Sequence, residues 1–182
     1  MTLPNAPFEG QCWAYALQLY AEPGVSQSCL ELQEDRGVDV MLLLVVAFAG
    51  QSGIDLSPAD IREMAATCRP WHQQIVQPLR ALRVALKSGP PPAPSGATET
   101  LRSQIKASEL HAERLQSDLL ASWLGRKARA RGAVAADKRQ GALGDVIALA
   151  MPNRDLTDRD LRALRCIAQA AQRLAGAAPH SR

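Results

Sequence analysis

A chain of 182 residues can bury a core as one domain or as one domain with an appendage, and 47% hydrophobic against 21% charged residues excludes a largely disordered chain. Aromatics are only 4%, and the abundance of Ala and Leu favours helices over strands built from β-branched and aromatic residues. The net charge of +3 hides an asymmetry, because residues 1–69 carry three basic side chains against nine acidic ones while residues 70–182 carry the other 18 against nine. Such a split fits either an acidic partner for the second half or attraction between the halves within the fold.

In chain order, Phe8 to about Ala21 reads as a first helix with Phe8, Cys12, Tyr15 and Leu19 on one face, ended by Glu22-Pro23-Gly24. Val25–Arg36 reads as a second, with Gly37 as its left-handed cap. Asp39 to about Ala49 is apolar on every side and belongs at the centre of a bundle, with Asp39 as its N-cap. Ser57-Pro58-Ala59-Asp60 starts a helix that is expected to stop near Cys68, before Pro70. Pro70 then opens another helix to Lys87, with a seam of Trp71, Ile75, Leu79, Leu82 and Leu86 and a kink at Pro78.

Gly89 to Gly96 is a Pro-rich linker. A long helix from about Thr98 to Trp123 follows, its expected seam Leu101, Ile105, Ser108, Ala112, Leu115 and Leu119 suited to an antiparallel hairpin. Residues 125–144 are basic and aperiodic and read as a mobile connection, with a short helix near 145–150 ended by Met151-Pro152. Thr157 and Asp160 form a capping box that opens a last helix to about Ala175. The predicted fold is therefore all-α: a helical bundle around the buried helix at about 39–49, with a long helical hairpin split by the linker. A bundle domain covers 1–124 with the linker 89–96 inside it, and 125–182 is a basic linker plus C-terminal helix packed on or appended to the same domain.

Chemical motifs are sparse. Cys12, Cys29, Cys68 and Cys166 form no CxxC pair and read as free thiols of a reducing cytoplasm. The N-terminus lacks a secretory leader, and the apolar run Val40–Gly50 falls well short of the ~20 residues of a membrane helix. His72, His111 and His180 are scattered, and a break at Pro70 separates Cys68 from His72, so no metal site is predicted. Glu34, Asp35 and Asp39, and Asp155, Asp158 and Asp160, are explained by helix ends rather than magnesium. No nucleophile elbow, P-loop or dinucleotide fingerprint occurs, so no catalytic residue and no cofactor is assigned.

Three candidate sites remain. Trp13, Asp39, Trp71 and Arg80 are the candidates for a small-ligand or lipid-like pocket. Lys106, Glu109 and Glu113 face the basic stripe Arg80, Arg83 and Lys87, either for interaction or as ion pairs fixing the hairpin's register. Arg126, Lys127, Arg129 and Arg131, with Lys138 and Arg139, form a basic run suited to phosphates but without interleaved aromatics. The expected function is a non-enzymatic, cytoplasmic protein-interaction or regulatory module. Its partner would be another protein; a ligand pocket and nucleic-acid association are the alternatives, no membrane is involved, and the oligomeric state stays open.

Cys12-Trp13-Ala14-Tyr15-Ala16-Leu17 through Tyr20, Cys29 through Leu44, and Pro70-Trp71 through Gln77-Pro78-Leu79-Arg80 together resemble a proteobacterial family of small proteins classed as a domain of unknown function. Leu101 through Ile105-Lys106 and Ala112-Glu113-Arg114 extend the resemblance, which spans roughly residues 8–120. The chain departs from that family in carrying Met41 where its members carry Asn and Cys12 where they carry Phe. The resemblance implies a helical cytoplasmic protein and brings no activity, cofactor or catalytic residue.

Overall fold

A computed structural model describes residues 8–130, 139–150 and 155–177, and among them there are helices and no strand. In chain order they are α1 (Gln11–Ala21), α2 (Val25–Arg36), α3 (Val40–Gln51), α4 (Pro58–Trp71), a π-helical turn (His72–Val76), α5 (Gln77–Ser88), α6 (Gly96–Ala130), α7 (Arg139–Ala150) and α8 (Asp158–Ala177). The fold is all-α, with α3 at its centre: every residue from Met41 to Ala49 is buried, and α1, α6, α7 and α8 pack around it. The absence of a polar face on α3 requires this position, since any exposed side would leave Leu or Val in water. No described helix is long and apolar enough to cross a membrane.

Caps fix the helix ends as the sequence suggests. Asp39 accepts from the Leu42 amide at 3.2 Å, and the boxes Ser57/Asp60 and Thr157/Asp160 open α4 and α8. Gly37 ends α2 at φ +66°. Gly24 is required twice over: its φ is +80°, and a Cβ there would lie 3.0 Å from Cys166 Sγ on α8.

Several expectations are corrected. Phe8–Gly10 form a turn, and α1 starts at Gln11 because Gly10 has φ +75°. Pro70 does not end a helix. It lies inside α4, which runs through Trp71 into the π-helical turn and on into α5. In that turn the Gln77 amide donates to the His72 carbonyl, five residues back, a wider register ahead of Pro78, which has no amide to donate. The inward face of α5 consequently carries Leu79, Arg80, Arg83 and Leu86, while Ile75 and Leu82 of the expected seam are exposed.

On α6 the buried line is Ile105, Glu109, Ala112, Gln116 and Leu120, whereas Leu101, Ser108, Leu115 and Leu119 are exposed. A seam chosen by apolarity finds Ile105 and Ala112 but misses Glu109 and Gln116, polar residues held by the half-buried Arg80, Arg83 and Asp39. Helix α6 also extends to Ala130 and α7 begins at Arg139, so both ends of the expected mobile connection are helical, and 131–138 lie outside the described residues. The helix expected near 145–150 starts six residues earlier. Met151-Pro152 and His180 are outside the described residues.

Candidate functional site

Helices α1, α2 and α3 and the α5–α6 hairpin line a half-open cavity of about 290 Å³, with Trp13, Leu17, Tyr20, Leu30, Met41 and Leu44 on its apolar side. Leu17, Tyr20, Leu30 and Leu110 also line it and remain exposed. The opposite side is ionic, with Arg80, Arg83, Lys106, Glu109 and Glu113. Arg80 Nε donates to Glu109 Oε1 at 2.8 Å and its Nη2 to Glu113 Oε1 at 2.5 Å. Arg83 grips the same Glu109 through Nε, in a close ion pair, and through Nη2 at 3.1 Å.

This network separates the two carboxylates. Burial pushes Glu109 upward, but the hydrogen bonds from Arg83 and Arg80 outweigh it and hold the group below the usual carboxylate range. Glu113 moves the other way, because burial raises it more than Arg80 lowers it. Glu109 is thus the ionised anchor of both guanidiniums. Lys106, by contrast, is exposed and has no ion-pair partner among the described residues.

A second polar cluster surrounds Asp39. Its Oδ2 accepts from Gln116 Nε2 at 2.6 Å and from Cys68 Sγ at 3.6 Å, and His72 Nδ1 lies 3.3 Å away. Cys68 and His72 share this carboxylate because α4 continues through Pro70, which corrects the expected break between them. Burial, followed by the charge of Asp39, pushes the Cys68 thiol up to about 12, so it is a hydrogen-bond donor and not a thiolate nucleophile at neutral pH. Among the described residues no group of three or more His, Cys, Asp or Glu is placed to hold a metal ion.

The four residues singled out for a ligand pocket are therefore divided. Trp13 and Arg80 line the α1–α6 cavity together with Lys106, Glu109 and Glu113. Asp39 lies on a separate cleft with Cys68 and His72. Trp71 donates its indole N–H to the Ala112 carbonyl at 2.9 Å, tying α4 to α6. In the basic run, Lys127 forms a close ion pair with Asp60 and sits 5.6 Å over the Trp123 ring, while Arg126 is exposed. The Arg129 side chain, Arg131 and Lys138, and the side chain of Arg139, lie outside the described residues.

Sequence reasoning missed Gln116, His72 and the apolar lining Leu17, Tyr20, Leu30 and Met41. The four-residue spacing of Cys68 and His72 was a signal for one of these, obscured by Pro70. Nothing local marks Gln116, since its partner Asp39 is 77 positions away.

No curated protein and no solved structure matches the chain. Residues 11–120, which contain every residue of the α1–α6 cavity and exclude α7 and α8, match a family described as Protein of unknown function (DUF2390). The chain belongs to that family.

Proposed function

We propose that the chain is a non-enzymatic protein-interaction module whose docking arm is the α5–α6 hairpin. One observation carries this reading: the arm exposes large apolar side chains, with Leu82 at 50%, Val84 at 54% and Leu101 at 46% accessibility. No residue of α5 is buried, and the helix packs on α6 and the π-helical turn. Leu82 and Val84 sit about 200° apart around their helix, so both flanks of the arm are open. Apolar surface displayed in this way fits a partner helix with an apolar stripe. A cytoplasmic setting belongs to the same proposal, supported by Cys12, Cys29 and Cys68 buried as free thiols. Nucleic-acid association through 126–139 draws less support, because Lys127 already serves Asp60.

The test is affinity capture of the full chain from its native host, with nuclease, beside the double variant Leu82→Asp/Val84→Asp. Wild type is expected to bring one stoichiometric protein, and the double variant to lose it while keeping its helix content and Tm. Retention of that protein by the variant would overturn the role given to the arm.

A further inference from the structure

We propose that the α1–α6 cavity is a binding site for a small amphipathic carboxylate, with its apolar body against Trp13, Met41 and Leu44 and its head group at Lys106 beside Arg80 and Arg83. The site lies within the family segment and does not depend on the hairpin's apolar flanks. Its volume of about 290 Å³ is at the lower edge of small-molecule sites, which run from about 300 to 1,000 Å³, and suits a medium-length chain rather than a folded partner. One side is apolar and the other ionic, the division that an amphipathic ligand needs to bury its chain and keep its head paired.

The charge of the ionic side selects the head group. Three cations line it against two carboxylates. Both carboxylates already accept from arginines, and Glu109 receives bonds from two of them. The donors are not exhausted: Arg80 and Arg83 each use Nε and Nη2, and among the described residues neither Nη1 has an acceptor. Lys106 has no counter-ion there either. The surplus charge is positive, and the two Nη1 groups and Lys106 are spare cationic donors, which matches an ionised carboxylate through charge-assisted hydrogen bonds. A cationic head would compete with arginines that already hold Glu109 and Glu113.

The probe is sodium decanoate, titrated into the full-length protein by calorimetry and by Trp fluorescence, with decyltrimethylammonium of the same chain length as the opposite charge. Decanoate is expected to bind once per chain, with a Kd below about 1 mM, and to change a fluorescence signal that Trp13→Phe removes. Lys106→Ala, at an exposed position, should weaken binding about three- to fivefold, and Lys106→Glu about tenfold. Leu82→Asp/Val84→Asp should bind decanoate like wild type, which separates this site from the proposed arm. The assignment is overturned if neither surfactant binds saturably, if the ammonium binds as tightly as decanoate, or if Lys106→Glu leaves decanoate affinity unchanged.

Discussion

Asp60 shows how much one side chain can carry here. It caps α4 through the box with Ser57 and forms the close ion pair with Lys127 that ties α6 to that helix end. Burial pushes its carboxyl upward, but Lys127 and the hydrogen bonds from Ser57 outweigh burial and hold it at about 2, against an ordinary 3.8. As pH falls, the unfolded chain takes up this proton first, so the stability contributed by Asp60 is complete above about pH 4 and drains away toward pH 2. Asp60→Asn should cost about 2 kcal/mol at pH 7, from a lost cap and a stranded half-buried ammonium, and should flatten the acid limb of urea midpoints measured from pH 2 to 6. A variant whose acid limb equals that of wild type would show that other carboxylates set it. The thiols act at the other end of the scale. Burial raises Cys12, Cys29 and Cys68 to about 12 each, whereas unfolded thiols ionise near ~8.5. Above that pH the unfolded state loses protons first, so stability should fall as pH rises from about 8.5 toward 12. At pH 8 a thiol reagent should label the half-buried Cys166 first and the three buried thiols only after denaturation; four rapid equivalents would contradict the burial.

At the scale of elements, the α5–α6 hairpin carries two kinds of ion pair, and they separate cleanly. Glu109 is buried and serves both Arg80 and Arg83, while Glu99 and Arg102 pair at 2.8 Å on the exposed surface, three residues apart. Removing the Glu109 charge leaves two guanidiniums facing a partly apolar cavity, so Glu109→Gln should cost about 2–3 kcal/mol. Arg102→Ala should leave the stability close to that of wild type, as solvent already screens that pair. Urea unfolding of the two variants checks the contrast, and equal costs would mean that the hairpin is held by its leucines. The same network explains what was legible in the sequence. Helices α2 and α3, the caps at Asp39, Ser57 and Thr157, and the glycine stop at Gly37 are local signals, and each appears where its residues put it. The facing of Arg80 and Arg83 onto Glu109 and Glu113 was visible as opposed charged stripes. The seams of α5 and α6 were legible only at Leu79, Leu86, Ile105 and Ala112, because other inward positions are taken by Arg83, Glu109 and Gln116, whose placement depends on partners 26 and 77 positions distant. The π-helical turn was also invisible: Pro70 and Pro78 read as a break and a kink, whereas Pro70 is accommodated inside α4 and the widened turn falls just ahead of Pro78.

For the whole molecule, the charge asymmetry along the chain is partly spent inside the fold. The acidic first third meets the basic remainder at Asp60 with Lys127, Glu22 with Arg173, and Glu31 and Asp35 with Arg159. Most of the Arg159 and Arg173 side chains is in water, and such pairs contribute little each. One contact across this divide is different in kind and reversed in sign. Arg36 at the end of α2 is buried with Asp160 at the start of α8, donating through Nε to Oδ1 at 3.1 Å and through Nη2 to Oδ2 in a close pair, with a further Nη2 bond to the Asp155 carbonyl at 3.1 Å. Asp160 is at the same time the capping-box acid of α8. Burial pushes it upward, yet the bonds from Arg36 and Thr157 keep it below the usual range, so the pair stays ionised at neutral pH. One carboxylate thus serves both the cap of α8 and its buried ion pair with α2. Asp160→Asn should cost about 3 kcal/mol, because it strands a buried guanidinium and weakens the cap together. Loss of the cap alone would cost about 1 kcal/mol, which makes the larger figure diagnostic of the Arg36 contact. Hydrogen exchange of the variant should show α8 amides losing protection before those of α3, since α8 is held at one edge of the core while α3 is buried throughout. Equal loss across α3 and α8 would instead mean that the helix does not open on its own and that α2, α3 and α8 unfold as one unit.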